Sequence, residues 1–356
     1  MTPHINRIAT AVPRHDVHDT FVRFARTLLA GPRDGRLFDR MAARGGIAHR
    51  WSCLAPAPDG SNAAVDSGGF YTRGAFPSTG ERMRRFEAEA PALAAQAVGH
   101  LALGDDARRV THLIVTCCTG FSAPGLDLEL VRRCGLDPSV ERTIVGFMGC
   151  YAAINALKLS RHIVRSEPAA RVLVVSLELC TLHLQETADL EQVLTFLVFG
   201  DGCAAALVTA EPHGIALDAF HAVLVPESAE DITWRIRDLG FDMVLSGRVP
   251  GAIGGALRSG ADRILRGAAP DAIDLWAVHP GGRSVLDAVE TAFALPPAAL
   301  GASREVLHAN GNMSSATVLF VLRALMRTER RPGARGCAMA FGPGLTAETM
   351  LFRAAA

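Results

Sequence analysis

Cys150 in Gly146-Phe-Met-Gly-Cys-Tyr-Ala-Ala, His279 in Trp276-Ala-Val-His-Pro-Gly-Gly282 and Asn312 in Gly311-Asn-Met-Ser-Ser315 are the residues of this sequence best suited to covalent chemistry. Together they form a nucleophile, a base and a hydrogen-bond donor. An apolar run ahead of Cys150 turns through Gly149 into a helical pattern, which sets the thiol at a helix N-terminus. Unpaired N–H groups and the helix dipole there favour thiolate over thiol. The alternative for each residue is structural. A buried cysteine serves as a small hydrophobe, a buried histidine as a satisfied core group, and an asparagine before a helix as its N-cap.

The elements that must position these groups recur in order. An apolar run at 113–116 leads to Cys117-Cys-Thr-Gly120 and a helical stretch at 125–133; a second run at 143–147 leads to the Cys150 helix. Runs at 171–177 and 203–209, with Leu197-Val-Phe-Gly-Asp-Gly202 between them, close a first half. The second half repeats the pattern. The run at 273–278 leads to His279 and a helix from Arg283, a strand-like run at 306–309 leads to Asn312 and an apolar helix through Leu325, and Cys337-Ala-Met-Ala-Phe-Gly-Pro-Gly344 precedes a last strand at 349–352. Cys118 and Cys150 are 32 residues apart, His279 and Asn312 33, so the repetition extends to spacing. Repeated strand–loop–helix units predict a duplicated α/β fold, divided here at 1–212 and 213–356, with site residues from both halves. Residues 1–90 alternate helical patches with loops such as Ala55-Pro-Ala-Pro-Asp-Gly-Ser61 and Asp66-Ser-Gly-Gly69 and read as a cap over a substrate entrance, the regular rhythm starting near Pro91.

Of the 356 residues 49% are hydrophobic, enough for a large core. Basic and acidic residues balance at 36 each, which predicts neither a nucleic-acid footprint nor a charged membrane face. No apolar stretch is long enough for a membrane span and the first residues hold no apolar leader, so a cytoplasmic protein is expected. The eight cysteines form no C-x-x-C pair, which argues against a zinc site and a disulfide framework.

Gly149-Cys-Tyr-Ala-Ala, Val278-His-Pro-Gly-Gly, Gly311-Asn-Met-Ser-Ser-Ala and Phe341-Gly-Pro-Gly-Leu-Thr-Ala-Glu-Thr together resemble the signature segments of type III polyketide synthases, the chalcone-synthase-like branch of the thiolase superfamily. The likeness runs in order from about Thr111 to the C-terminus. It implies a five-layered αβαβα fold, a homodimer, no cofactor or metal, and iterative decarboxylative condensation of malonyl-CoA onto an acyl-CoA starter without a carrier protein. In that reading Cys150 carries the acyl group, helped by an ion pair with protonated His279, while His279 and Asn312 stabilise the malonyl-derived enolate.

The resemblance also assigns Phe199 and Phe241 as rings between the CoA tunnel and the cavity, and Arg40 and Arg44 as CoA contacts, with Leu37 at a third position that is basic in the family. It makes Cys118, Thr119, Glu178, Cys180, His183 and Ser314 cavity residues. Cys118 stands where a threonine is usual, and a thiol substitutes poorly for a hydroxyl in the threonine–glutamate–serine network that steers aldol cyclisation in some members. Ala123 replaces a methionine and could open a channel for a long acyl chain, which favours a fatty acyl starter and alkylpyrone or alkylresorcinol products. A synthase using malonyl-CoA alone to make tetrahydroxynaphthalene, and a carrier-protein-dependent ketoacyl synthase III, are the alternatives. A degradative thiolase would need a cysteine in its closing glycine loop, where this chain has Gly342-Pro-Gly344; a noncatalytic acyl-binding protein would be expected to lose one of Cys150, His279 and Asn312.

Overall fold

Short apolar segments rich in valine, leucine and alanine build the centre of the molecule. The computed structural model describes residues 1–58, 63–328 and 331–355. The first half contains β1 (His4–Ala11), β2 (His15–Asp16), α1 (His18–Leu28), α2 (Pro32–Arg44), β3 (Trp51–Ser52), α3 (Thr79–Gly99), β4 (His112–Cys117), α4 (Leu126–Cys134), β5 (Glu141–Gly146), α5 (Ala152–Ser166), β6 (Val172–Leu179), α6 (Leu190–Phe196) and β7 (Asp201–Thr209). The second contains β8 (Ile215–Leu224), β9 (Ile232–Arg237), β10 (Gly240–Leu245), α7 (Val249–Leu265), β11 (Leu275–Val278), α8 (Arg283–Ala292), α9 (Gly301–Asn310), α10 (Thr317–Arg327), β12 (Arg335–Gly342) and β13 (Thr346–Ala354).

The nine strands of the central sheet run in the order β11-β12-β13-β8-β1-β7-β6-β4-β5. Only two residue pairs, His4 with Ala216 and Ile5 with Ile215, join β1 to β8 at the middle. About this seam the halves mirror one another: β4 answers to β11, β6 to β12, β7 to β13 and β1 to β8. Three apolar cores separate five layers. One lies between α1–α3 and the first half-sheet, one holds α5 and α10 between the half-sheets, and one lies between the second half-sheet and α7–α9. β6 and β7 are covered on both faces, which is why they read as continuous apolar runs rather than alternating ones.

Two sequence expectations are corrected. Residues 1–90 do more than cap an entrance: they supply β1 to the sheet centre, and α3 starts at Thr79 behind a capping box formed by Ser78 and Glu81, so Pro91 lies inside a helix rather than before the first unit. Residues 306–309 form no strand. They belong to α9, where Ser303, Val306 and Leu307 share the buried face at helical spacing, and β5 is left without a counterpart. Of the loop at 55–61, residues 59–61 fall outside the described residues.

Candidate active site

Cys150 is held by a sharp turn. β5 ends at Gly146, Phe147 and Gly149 both take left-handed backbone angles (φ 57° and 74°), and a single 3-10 turn carrying Cys150 runs into α5. A Cβ on Gly149 would lie 2.1 Å from Cδ of Pro343, so only glycine permits this loop to meet the β12–β13 connection. The Gly149 N–H donates to Sγ of Cys118 (3.0 Å), and Sγ of Cys150 donates to Oγ of Ser314 (3.6 Å). Burial pushes the Cys150 thiol up to about 12, against the hydrogen bonds of Ser314 and Asn312, which favour the thiolate. The resting thiol is therefore neutral.

His279 follows β11, its N–H donating to the carbonyl of Met339 (2.8 Å). The residue is 1% exposed, neither ring nitrogen has a hydrogen-bond partner among the described residues, and burial lowers its pKa to about 3. Desolvation thus disfavours the charged form of both groups and works against the thiolate–imidazolium pair expected from the sequence, which the helix terminus favours. Two orphaned nitrogens on a buried ring point to a ligand that supplies their partners.

Asn312 is not a helix N-cap: the following 3-10 turn starts behind Met313 without a side-chain cap, and Oδ1 of Asn312 instead accepts the N–H of Ser314 (2.8 Å) in a local turn. Its Nδ2 is left turned toward the thiol and the carbonyl of Gly281 (3.3 Å). Its backbone zips to the segment before β7, with Asn312 N–H to Val198 O at 2.7 Å and Gly200 N–H to Asn312 O at 3.0 Å. Gly311 takes φ 68°, and a Cβ there would lie 2.7 Å from the Val198 carbonyl oxygen.

These groups line one cavity. Of the residues named from sequence, Cys150, His279, Asn312, Ser314, Phe199, Cys118, Thr119 and Cys180 line it. Phe241, His183 and Glu178 do not. On the β9–β10 hairpin Trp234 pairs with Met243, both lining the cavity, while Phe241 is two residues further along and packs behind Trp234 with ring centroids 5.7 Å apart. His183 stacks on Phe241 at 4.2 Å, hydrogen-bonds Thr119 O through Nε2 (2.7 Å) and accepts the Phe241 N–H at Nδ1 (3.1 Å). It is a satisfied core histidine, neutral through burial at about 3. Ala123 is exposed and lines no part of the cavity.

Glu178 lies beneath the floor. It accepts from Oγ1 of Thr119 (2.8 Å), the N–H of Cys118 (2.9 Å) and Oγ of Ser315 (2.6 Å), and burial raises its pKa to about 7. The acid network thus uses Thr119 and Ser315, while Cys118 Sγ and Ser314 serve the nucleophile turn. Sequence reading missed three residues here. Ser315 stood beside Ser314 in the same motif. Trp234 bonds Cys118 O through Nε1 (2.7 Å), and fully buried Arg50 ties the carbonyls of Phe196 (2.8 Å) and Phe199 (3.0 Å); neither carried a motif of its own.

Outside the cavity lies an open basin lined by Leu37, Arg40 and Arg44 of α2 and by Leu197, Val198, Gly282, Arg283 and Asp287. Val198 with Phe199 and Gly281 with Gly282 span the boundary, each pair contributing one residue to the basin and one to the cavity. A basic outer basin beside an apolar inner chamber with a thiol suits a thioester whose carrier is anionic.

Residues 11–212 match the N-terminal domain and residues 217–356 the C-terminal domain of chalcone and stilbene synthases. The chain is similar to the alpha-pyrone synthesis polyketide synthase-like Pks18 of Mycobacterium tuberculosis, 35% identical over 251 residues, 67% of this chain and 64% of that protein. It is 36% identical to bisdemethoxycurcumin synthase of Oryza sativa subsp. japonica over 299 residues, 78% of this chain and 74% of that one. Among solved structures, PKS-I of the brown alga Ectocarpus siliculosus superposes with a TM-score of 0.88 at 28% identity, covering 99% and 98% of the two chains. The C-terminal type III polyketide synthase domain of Dictyostelium Steely1 reaches 0.90 at 23%, covering both chains in full, and shares the fold.

Proposed function

From the chain's membership of the chalcone and stilbene synthase family, the type III polyketide synthases with their thiolase-like fold, we propose an acyltransferase that condenses malonyl-CoA repeatedly onto an acyl-CoA starter. The observation that carries this reading is the neutral, doubly unpartnered His279 sharing a cavity with Cys150 and Asn312. As the starter arrives, the free imidazole nitrogen takes the Cys150 proton. Sγ then attacks the thioester carbon, a new C–S bond forms, and CoA leaves as the thiol. With malonyl-CoA in place, the N–H groups of His279 and Asn312 donate to its thioester oxygen. Loss of CO2 leaves the electron pair as an enolate, which attacks the acyl carbon and expels the Cys150 thiolate. Such donors are each worth about 3–4 kcal/mol of barrier.

The lining of Trp234, Met243, Leu245 and Phe341 favours an apolar starter, and the Pks18 likeness an alpha-pyrone product, which together make an alkylpyrone the proposed product. Glu178, sealed below the floor, supports release by lactone closure rather than through water activated by the acid network. A homodimer is part of the reading: edge strand β5 leaves Ile144 47% exposed beside Phe121 at 39% and Met148 at 36%, an apolar rim that a second copy would cover. No described helix is long and apolar enough to cross a membrane. A cytoplasmic location belongs to the same proposal and follows from the use of CoA thioesters.

The test is incubation with labelled malonyl-CoA, alone and with acetyl- to stearoyl-CoA, reading products by mass with Cys150→Ala as control. Alkylpyrones without carrier protein, absent in the variant, are expected. Naphthalene-type product from malonyl-CoA alone would replace the starter assignment. Turnover only with malonyl-carrier protein would overturn the reading in favour of a ketoacyl synthase III.

A further inference from the structure

The outer basin has two basic walls. Arg40 and Arg44 come from α2 and, among the described residues, neither has a carboxylate partner; Leu37, one turn earlier, fills the next place on that wall with an apolar side chain. Opposite stands Arg283, the first residue of α8. Its Nη1 reaches the carbonyl of Arg44 (3.3 Å), so the guanidinium bridges the two walls at the rim, with the side chain still 56% exposed. The carboxylate lining the basin, Asp287, is 3.7 Å from Arg283 Nε but 2.7 Å from Arg304, which also holds Glu290 at 2.8 Å. Asp287 is thus committed mainly elsewhere and leaves the Arg283 charge largely uncompensated. The first turn of α8 adds N–H groups with no side-chain cap at Gly282.

A phosphomonoester alone carries roughly 1.5–2 negative charges at neutral pH, and a diphosphate adds to this, so two arginines on one wall leave such a ligand short of partners. Arg283 also sits on the connection that carries His279, only Pro280, Gly281 and Gly282 intervening. A phosphate held there is registered against the His279 ring by four residues of chain. We propose that Arg283 is a third phosphate-binding cation, closing on the nucleotide end of a CoA thioester from the face opposite Arg40 and Arg44 and taking the role that Leu37 cannot. The inference rests on the reading of the chain as a user of CoA thioesters.

The experiment compares malonyl-CoA with the malonyl thioester of N-acetylcysteamine, which keeps the reacting end and lacks every phosphate. Arg283→Ala raises KM for malonyl-CoA about tenfold with kcat unchanged, while KM for the truncated thioester stays the same. Arg283→Lys falls between, since an ammonium keeps the charge and loses the fork, and Leu37→Arg in the Arg283→Ala background recovers most of the loss. An unchanged KM for malonyl-CoA overturns the proposal. So does an equal rise for both thioesters, which would make Arg283 only a tie between helices. Calorimetric binding of free CoA reads the same contact without turnover: a tenfold weaker Kd in Arg283→Ala supports the clamp even if the reaction proves different, and an unchanged Kd refutes it.

Discussion

The halves share a strand order in the central sheet yet differ beyond it: the first ends in edge strand β5, while the second has helix α9 in that place. Cys150 accordingly follows a strand and a tight left-handed turn, Asn312 the C-terminus of a helix. What joins them is reciprocal pressure. Gly149 of the first half lies against Pro343 of the second, and Gly311 of the second lies against Val198 and Arg50 of the first. Duplication supplied two similar frames, and the site formed where each presses on the other.

The comparison breaks most visibly if the chemistry is separated by half. Cys150→Ala is expected to lower product formation at least about 10⁴-fold while leaving slow malonyl-CoA decarboxylation measurable as released CO2. Asn312→Ala is expected to lose about 10²–10³-fold in decarboxylation, yet still take up the starter acyl group, visible by intact mass. Loss of both partial reactions in both variants would mean that the halves do not divide the work. Next in size, Gly149→Ala and Gly311→Ala should each destabilise by about 2–4 kcal/mol, since each forces a side chain into a left-handed backbone and an occupied space. Thermal melts that distinguish the two would show which half yields first.

The smallest effects sharpen the electrostatics. With the thiol raised to about 12 and His279 lowered to about 3, alkylation of resting Cys150 by iodoacetamide should keep climbing from pH 7 through pH 9, with His279→Ala following the same curve. A plateau below pH 7 that disappears in His279→Ala would restore the ion pair. Glu178, raised from 4.5 to about 7, binds its proton more tightly in the folded state; its contribution to stability is present below pH 4.5 and lost as pH rises through 7. The melting temperature of the wild type relative to Glu178→Gln should therefore fall across that window, by the equivalent of about 3 kcal/mol at most. A difference independent of pH would show that the carboxyl is ionised throughout.

Much of this was legible because buried strands and glycine turns leave strong local marks. The strand before Cys118, the turn at Gly149 and the strand before His279 are short apolar runs ended by glycine or proline. β1 was hidden because its sequence, His4-Ile-Asn-Arg-Ile-Ala-Thr-Ala, mixes polar residues into a strand whose place at the seam depends on partners far away in the sequence, such as Thr209 and Ala216 for His4. Val306 and Leu307 suit a strand or a helix equally, and tertiary packing chose the helix. Phe241 was named by resemblance for a wall that hairpin register gives to Trp234 and Met243. The cavity's neutrality was invisible, because charge state depends on desolvation and not on residue type.

The zip between Asn312 and the segment before β7 carries a cost for adaptation. On the proposed reading, the strip of Val198 and Phe199 that limits how wide a group can pass is bonded, peptide to peptide, to Asn312, the proposed donor to the reacting oxygen. A variant that gains a bulkier diet by loosening this strip surrenders rate at the same stroke. Changes at Cys118, Cys180 or Met243, which bound the chamber without joining the zip, leave diet and speed free to vary separately.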